Sequence, residues 1–273
     1  MAKILKITRS RYYACIKRTL SKKEMRDREL LEKIKSIHEK SRKRYGSPKI
    51  HKELIKQGER CSRKRVARVM QENGIYAHYK RKFKATTDSG HIYPVAQNIL
   101  NREFVVDNPD KAWVSDITYV WTLEGWSYLC IIMDLFARRI VGWSMGTRLT
   151  LELATSALSM AITHRNPSPG LLFHSDRGVQ YASEPFRRML SENKMIQSMS
   201  RKGDCWDNAC AENFFSLLKN EEVYMHRYKT REQARRSLFE YIEVFYNRQR
   251  SHSFLDYMSP VEYEMKWLQQ KIA

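Results

Sequence analysis

Three acidic residues sit where packing alone would not place them. Asp116 interrupts the apolar and aromatic run Trp113-Val114-Ser115-Asp116-Ile117-Thr118-Tyr119-Val120, and a carboxylate inside such a strand is costly unless it is ligated or paired. Asp176 follows the short apolar run Leu171-Leu172-Phe173-His174, at the carboxyl end of a strand, where α/β sheets place their sites. Glu212 falls in the first turns of a helix expected from Asn208. At about 100° per residue, Ser216 and Lys219 lie roughly 40° and 20° either side of Glu212, whereas Cys210, Phe214, Leu217 and Leu218 centre about 190° away. Glu212 and Lys219 thus share a polar face that could line a cleft. Three carboxylates with no obligatory His or Cys suit divalent-metal phosphoryl transfer. Mg²⁺ (or Mn²⁺) takes oxygen ligands, keeps several waters and is usually held by one or two carboxylates plus substrate phosphate oxygens. In a two-ion site one ion activates the attacking oxygen and the other stabilises the leaving oxygen. Phosphate oxygens complete the coordination and the charge balance, so two ions are expected with DNA bound.

Other acids have simpler readings. Asp134 is also a strand acid, but it stands near Arg138 and Arg139 and is expected to pair with them. Asp204 and Asp207, in Gly203-Asp204-Cys205-Trp206-Asp207 just before a helix, read as N-caps.

The trio must be carried by a β-rich part of the chain. Ala112–Trp121, Trp126–Asp134 and Arg139–Met145 are rich in β-branched and aromatic residues and are separated by short turns, which predicts a three-stranded antiparallel meander. Helices over Leu151–His164, Glu184–Asn193 and Asn208–Glu222 alternate with strands at Leu171–His174 and Ile196–Met199. A last helix at about Arg231–Arg248 precedes a polar C-terminal stretch. The pattern predicts a mixed sheet covered by helices.

Charge separates this part from the one before it. Residues 1–90 hold 28 basic and 9 acidic side chains, a balance of +19, while residues 91–273 hold 22 and 21, a balance of +1. A local excess of this kind marks a polyanion partner. Leu30, Leu31, Ile34 and Ile37 give an amphipathic helix over 24–44. Ser47 as N-cap with Pro48 behind it starts a second helix, closed by Gln57-Gly58. Ser62 caps a third, with Val66, Val69 and Met70 inside and Arg63, Lys64, Arg65 and Arg68 outside. Two short helices around a Gly turn, the second strongly basic, fit a helix-turn-helix whose arginines and lysine meet DNA phosphates. The expected division is a basic helical arm at 1–44, the helix-turn-helix at 45–80, a linker at 81–104 and a catalytic domain at 105–268.

Composition excludes other classes. With 42% hydrophobic and 11% aromatic residues the chain buries a core. Its longest apolar run, Tyr128–Met133, is far below the roughly 18 residues of a membrane span. The basic N-terminus lacks an apolar signal region, and five cysteines at no zinc-like spacing read as reduced thiols. A cytoplasmic protein is expected, with no membrane partner.

Between Asp116 and Asp176 lie 59 residues, and between Asp176 and Glu212 lie 35. This spacing resembles that of the DDE transposases and retroviral integrases, whose catalytic domains have the ribonuclease-H-like fold. His174-Ser175-Asp176-Arg177-Gly178-Val179-Gln180-Tyr181, Asp207-Asn208-Ala209, Ala211-Glu212-Asn213-Phe214-Phe215 and Lys219 are similar to motifs of the bacterial insertion-sequence-three family, second reading frame. So are the tail Tyr246-Asn247, Arg250, His252, Leu255 and Ser259-Pro260, and the upstream Tyr45-Gly46, Ile50-His51, Glu53-Leu54, Lys64-Arg65-Val66, Arg68 and Met70. The resemblance covers roughly residues 45–263. It implies a transposase that cuts at element ends and joins the freed 3′ hydroxyls to target DNA, working on double-stranded DNA as a homo-oligomer, with an upstream-frame protein or fusion as a further partner. Asp116, Asp176 and Glu212 carry over as metal ligands and Lys219 as a contact to the DNA end. Asp256 departs from the family, which commonly has Gly there.

Two other readings share these features. One is a catalytically inactive DNA-binding regulator acting with a longer frame-fusion form, against which the retention of Asp116, Asp176, Glu212 and Lys219 argues. The other is a different nuclease of the ribonuclease-H-like class, against which the helix-turn-helix and Lys219 argue. Cys15, His38, His51 and Cys61 lack the paired spacing of a zinc module.

Overall fold

Secondary structure follows the periodicity of the chain in both of its parts. The computed structural model describes residues 8, 10, 21–77, 94–201 and 204–272. It divides into two compact units, 1–78 and 79–273. The basic stretches at Lys80-Arg81-Lys82 and the Thr86–Gly90 part of the expected linker lie outside the described residues, as does most of the N-terminal arm before Ser21.

In the first unit, α1 (Lys22–Lys40) opens with a capping box: the Ser21 hydroxyl accepts from the Glu24 amide and the Glu24 carboxylate accepts from the Ser21 amide. α1 buries Leu30, Ile34 and Ile37. α2 (Ser47–Lys56) buries Ile50 and Leu54, and α3 (Arg63–Glu72) buries Val66, Val69 and Met70. The three helices pack on one another around these residues. The α2–α3 turn passes through Gly58 at φ +83°, a conformation that glycine adopts without strain. Ser62 caps α3 by accepting from the Arg65 amide. Ser47 is not the cap of α2: Gly46 takes that position and Pro48 falls in the first turn, where its missing N–H costs nothing. The rings of His38 and His51 lie within hydrogen-bond distance of the carbonyls of Tyr76 and Cys61.

The second unit is a mixed five-stranded sheet in the order β3-β2-β1-β4-β5. β1 (Ala112–Thr122), β2 (Gly125–Asp134) and β3 (Arg139–Gly146) form the antiparallel meander, and β4 (Leu172–Ser175) and β5 (Ile196–Met199) add parallel to β1. One face lies under α4 (Leu151–Arg165), the single turn α5 (Val179–Ala182) and α6 (Glu184–Glu192), with Trp113, Cys130, Ile132, Phe173, Tyr181 and Phe186 in its core. α4 approaches β3 so closely that a Cβ on Gly142 would stand 2.4 Å from the Ala157 carbonyl oxygen. α7 (Ala209–Glu221) packs on β1 and buries Ala211, Phe214, Phe215 and Leu218.

The C-terminal region is more structured than its polarity suggests. α8 (Arg231–Phe239) widens into a π-helical segment over Glu240–Tyr246, where one continuous α-helix was expected. The Asn247 side chain follows directly, accepting from the Ile140 amide at 3.0 Å and donating to the Ile140 carbonyl at 2.9 Å. This pair holds the segment to β3. The C-terminal stretch, read only as polar, ends in α9 (Pro260–Ile272), started by a second capping box between Ser259 and Glu262. Phe136 packs against the Tyr263 and Trp267 rings of this helix. Asp256, where the resembled family has Gly, sits at φ +50°, in the left-handed region that Asp tolerates better than most residues.

Candidate active site

Strand register brings the first two acids together. The β1–β4 ladder runs in parallel from Ala112↔Leu172 to Ser115↔Ser175 and ends there. Asp116 and Asp176 are each the next residue, one still within β1 and the other just past the end of β4, so they stand side by side, strands being spaced by about 4.8 Å. Beyond Ser115 the edge of β1 is no longer paired to β4, and α7 runs against β1 with Glu212 in its first turn. The Asn208 side-chain Nδ2 donates to the Ser115 carbonyl at 3.1 Å, tying the start of α7 to the strand immediately before Asp116.

Local backbone hydrogen bonds fix the carboxylates. Asp116 accepts from its neighbour Ile117 N–H at 2.7 Å, and Asp176 accepts from Gly178 N–H at 2.9 Å. A Cβ at Gly178 would stand 3.0 Å from the Asp176 carboxylate. Burial, then the charge of Asp176 and then that of Glu212, hold the Asp116 carboxyl well above its ordinary value, against the Ile117 hydrogen bond and the attraction of Lys219. Partial burial also raises Glu212, although its side chain faces solvent. The Lys219 ammonium lies 4.7 Å from the centroid of the Tyr119 ring. Burial lowers its affinity for a proton, partly offset by Tyr119 and Asp116. The arrangement is a group of repelling carboxylates with one half-buried cation beside them. A multivalent cation would relieve that repulsion. Among the described residues no group of three or more His, Cys, Asp or Glu is close enough to hold a metal ion by itself.

The remaining acids correct two expectations. Asp134 does not pair with Arg138 or Arg139. It is fully buried, accepts from the amides of Phe136 and Asp110, and lies 3.7 Å from Arg165. Arg139 instead reaches Glu264 in α9 at 2.7 Å, and Arg138 donates to the Phe104 carbonyl and the Cys210 sulfur. Asp204 does cap the short 3₁₀ turn at Cys205–Asn208, but Asp207 is no cap. It is a buried node that accepts from Arg201, Arg102 and Asn98, and these donors hold its carboxyl far below the usual range, the Arg201 hydrogen bond foremost. The node braces the loop leading into α7.

Three further side chains support the site, none with a role evident from its residue type. Tyr119 carries Lys219, Asn208 anchors α7, and Arg250 clamps its far end by reaching Glu221 at 2.6 and 2.8 Å inside the protein. The signal for Arg250 was its place in the tail motif beside Tyr246-Asn247. His174, next to the site, is buried between the hydroxyls of Ser198 and Ser200. Burial pulls its pKa down to about 4, so it is neutral near pH 7.

In the first unit the four basic residues of α3 divide into two kinds. Arg63 and Lys64 are exposed. Arg65 and Arg68 turn toward α1, each 2.7 Å from Asp27, and Arg68 also bonds Glu72. They still border a basic cleft with Lys22, Lys23 and Arg26.

Family models match each part of this architecture. Residues 25–83 match an HTH-like domain, and residues 106–205 and 212–268 match two models of the integrase core domain. The chain is 42% identical over 269 residues to the insertion element IS600 uncharacterized 31 kDa protein of Shigella sonnei, covering 98% of this chain and 99% of that one. It is 38% identical over 268 residues to transposase InsF for insertion sequence IS3A of Escherichia coli strain K12, covering 97% and 93%.

The chain belongs to the IS3-family transposases.

A solved relative shares the fold at 15% identity: a chain of the simian T-cell lymphotropic virus intasome in complex with PP2A regulatory subunit B56 gamma, with a TM-score of 0.50 over 84% of this chain and 73% of that one. The sheet of this transposase is thus of the ribonuclease-H-like, integrase-core type, and an integrase core of this kind is that of a polynucleotidyl transferase. Among the described residues no helix is long and apolar enough to cross a membrane.

Proposed function

We propose that this transposase is a DDE-type enzyme in which Asp116, Asp176 and Glu212 bind divalent metal and direct strand cleavage at element ends and strand transfer into target DNA. The observation that carries this reading is the end of the β1–β4 ladder at Ser115 and Ser175, which leaves Asp116 beside Asp176 where α7, with Glu212 in its first turn, runs against β1. Carboxylates that repel one another in a half-covered cleft are costly to maintain unless a cation uses them. Oxygen-only donors with room for water and phosphate favour Mg²⁺ or Mn²⁺. When bound there, two such ions would activate the attacking oxygen and stabilise the leaving oxygen of an in-line displacement.

The chain's own residues do the rest. The β1–β4 register holds Asp116 and Asp176 adjacent, and the Ile117 and Gly178 amides orient their carboxylates. Asn208 and Arg250 fix the two ends of α7, which presents Glu212 and Lys219 to the same cleft. Lys219 stands ready to receive a phosphate of the DNA end. No side chain need act as nucleophile, because water or a 3′ hydroxyl does so. The exposed Arg63 and Lys64, with the basic cleft beside Arg65 and Arg68, suit phosphates of double-stranded DNA. Holding two DNA ends at once calls for more than one copy of the chain.

Incubating the purified chain with element-end DNA and Mg²⁺ or Mn²⁺ tests the proposal. Strand-transfer product that disappears with chelator is expected. If the wild-type chain yields none with either metal, the chain alone is the inactive DNA-binding form.

A further inference from the structure

The β1–β2 hairpin exposes aromatic rings beyond the reach of the core. Trp113 and Ile117 lie on the α4-covered face of β1 and join its core. Trp121, four residues further along the same face, has left that cover. It is the register partner of Trp126, and the two rings meet at 4.8 Å and 71°. Tyr119 meets Trp126 at 5.0 Å and 89°. Edge contacts of this kind leave broad ring faces open: Trp121 is 53% exposed and Trp126 is 45% exposed. Packing does not account for two half-exposed tryptophans in register.

Cations border these rings. The segment His226-Arg227-Tyr228-Lys229-Thr230-Arg231 runs beside the hairpin, where buried Tyr228 bridges to Thr122 and its carbonyl accepts from the Leu123 amide at 3.0 Å. Arg227 and Lys229, on either side of Tyr228, are exposed. The Arg231 guanidinium lies against Gly125, and the Arg231 amide donates to Glu124, the acid of the hairpin turn, at 2.7 Å. At the other end of the strip, Lys219 covers Tyr119 and its charge reaches Asp116. Open aromatic faces, cations beside them, and Lys219 linking Tyr119 to the acid site fit a partner that is both a polyanion and a series of flat rings. A second copy of this basic surface would be repelled by it.

We propose that Trp121 and Trp126, with Tyr119, Arg227 and Lys229, form a platform on which unpaired nucleotides of the DNA strand beside the acids stack. The inference rests on the reading that the acids act on DNA, and it adds that the DNA is unpaired next to them. Trp121 lies five residues from Asp116 along β1, about 17 Å at the rise of a strand and on its opposite face, so about five nucleotides at duplex spacing would reach both by crossing the edge of β1 that β4 leaves unpaired beyond Ser115. Ring stacking requires bases freed from their complements and is tolerant of sequence.

Quenching of tryptophan fluorescence by a single-stranded oligothymidine, measured on the full chain beside gel-shift titration with a random-sequence duplex, tests the platform. The double variant Trp121→Ala/Trp126→Ala is expected to bind the single strand at least about ten-fold more weakly and to lose most of the quenching. Its duplex affinity should stay within about two-fold of wild type. Trp121→Phe/Trp126→Phe should restore single-strand affinity, which separates stacking from a folding defect. Unchanged single-strand affinity in the alanine variant overturns the proposal. So does equal loss of single-strand and duplex binding, and so does a change in sedimentation without a change in single-strand affinity, which would make the patch a contact between copies. Metal-dependent cleavage by wild type is read separately, so a failed platform leaves the catalytic reading standing, and a failed cleavage assay leaves the stacking result intact.

Discussion

A buried carboxylate is expensive, and this protein resolves that cost differently at each acid. Asp207 is ringed by Arg201, Arg102 and Asn98, so it is ionised and structural. Asp134 lies in the core with two amide donors and a distant guanidinium; burial, then the charge of Asp110, push it up to about 7. An acid whose folded pKa is raised keeps its proton where the unfolded chain has already released it. Between about pH 4 and 7 the folded state therefore binds more protons, and Asp134 makes stability fall as pH rises through that window. The Asp134→Asn variant lacks this slope. Urea unfolding at several pH values should show its stability relative to wild type improving by roughly 2–4 kcal/mol from pH 4 to pH 7.5; a constant difference would show that Asp134 is ionised throughout. Asp116, Asp176 and Glu212 were legible in the sequence because an acid in an aromatic strand, at a strand end or on a helix's polar face has few structural uses. The partners Arg165 of Asp134 and Arg102 and Asn98 of Asp207 were not, because they are remote in sequence and only the fold brings them near.

At the scale of elements, α3 combines two jobs on one short helix. Arg65 and Arg68 pair with Asp27 of α1, so they hold the helices together as well as adding charge, whereas Arg63 and Lys64 face solvent. Arg63→Ala/Lys64→Ala should weaken duplex binding and reduce the log–log salt slope by about 0.9 for each phosphate no longer neutralised, with little change in stability. Arg65→Ala should also lower thermal stability, since Asp27 is deprived of a partner. Gel shifts at several salt concentrations, with a melting curve for each variant, check both outcomes. An unchanged slope in the double variant would leave Arg63 and Lys64 as a solvated face. The division within α3 could not be read from the sequence: helical periodicity showed which residues avoid the core, but not that Asp27 waits on the neighbouring helix. Strands and long helices were legible because their apolar periods are strong. α9 was missed although Ser259-Pro260-Val261-Glu262 carries a capping box, because its polar composition outweighed that cue. The π widening at Glu240–Tyr246 leaves no mark on periodicity, and neither does the meeting of Asn247 with the backbone of Ile140 directly after it.

Across the whole molecule, charge and chemistry are divided along the chain. The first 90 residues carry a balance of +19 and the rest +1, yet the near-neutral part holds the acids of the cleft and its own strip of cations at Lys219, Arg227, Lys229 and Arg231. A basic helical unit proposed to grip phosphates and a sheet whose carboxylates are proposed to hold metal would suit successive cutting and joining of one polyanion. The integrase-core sheet supplies the register that sets Asp116 beside Asp176, and the C-terminal region holds α7 through Arg250. Parallel measurement of strand cleavage and DNA affinity for Asp116→Asn and Glu212→Gln tests the assignment of these acids most directly. Each variant should lose metal-dependent cleavage by at least about a thousand-fold while binding DNA within about two-fold of wild type. Retained cleavage in either variant, or a joint fall of cleavage and affinity, would contradict a catalytic role for these carboxylates.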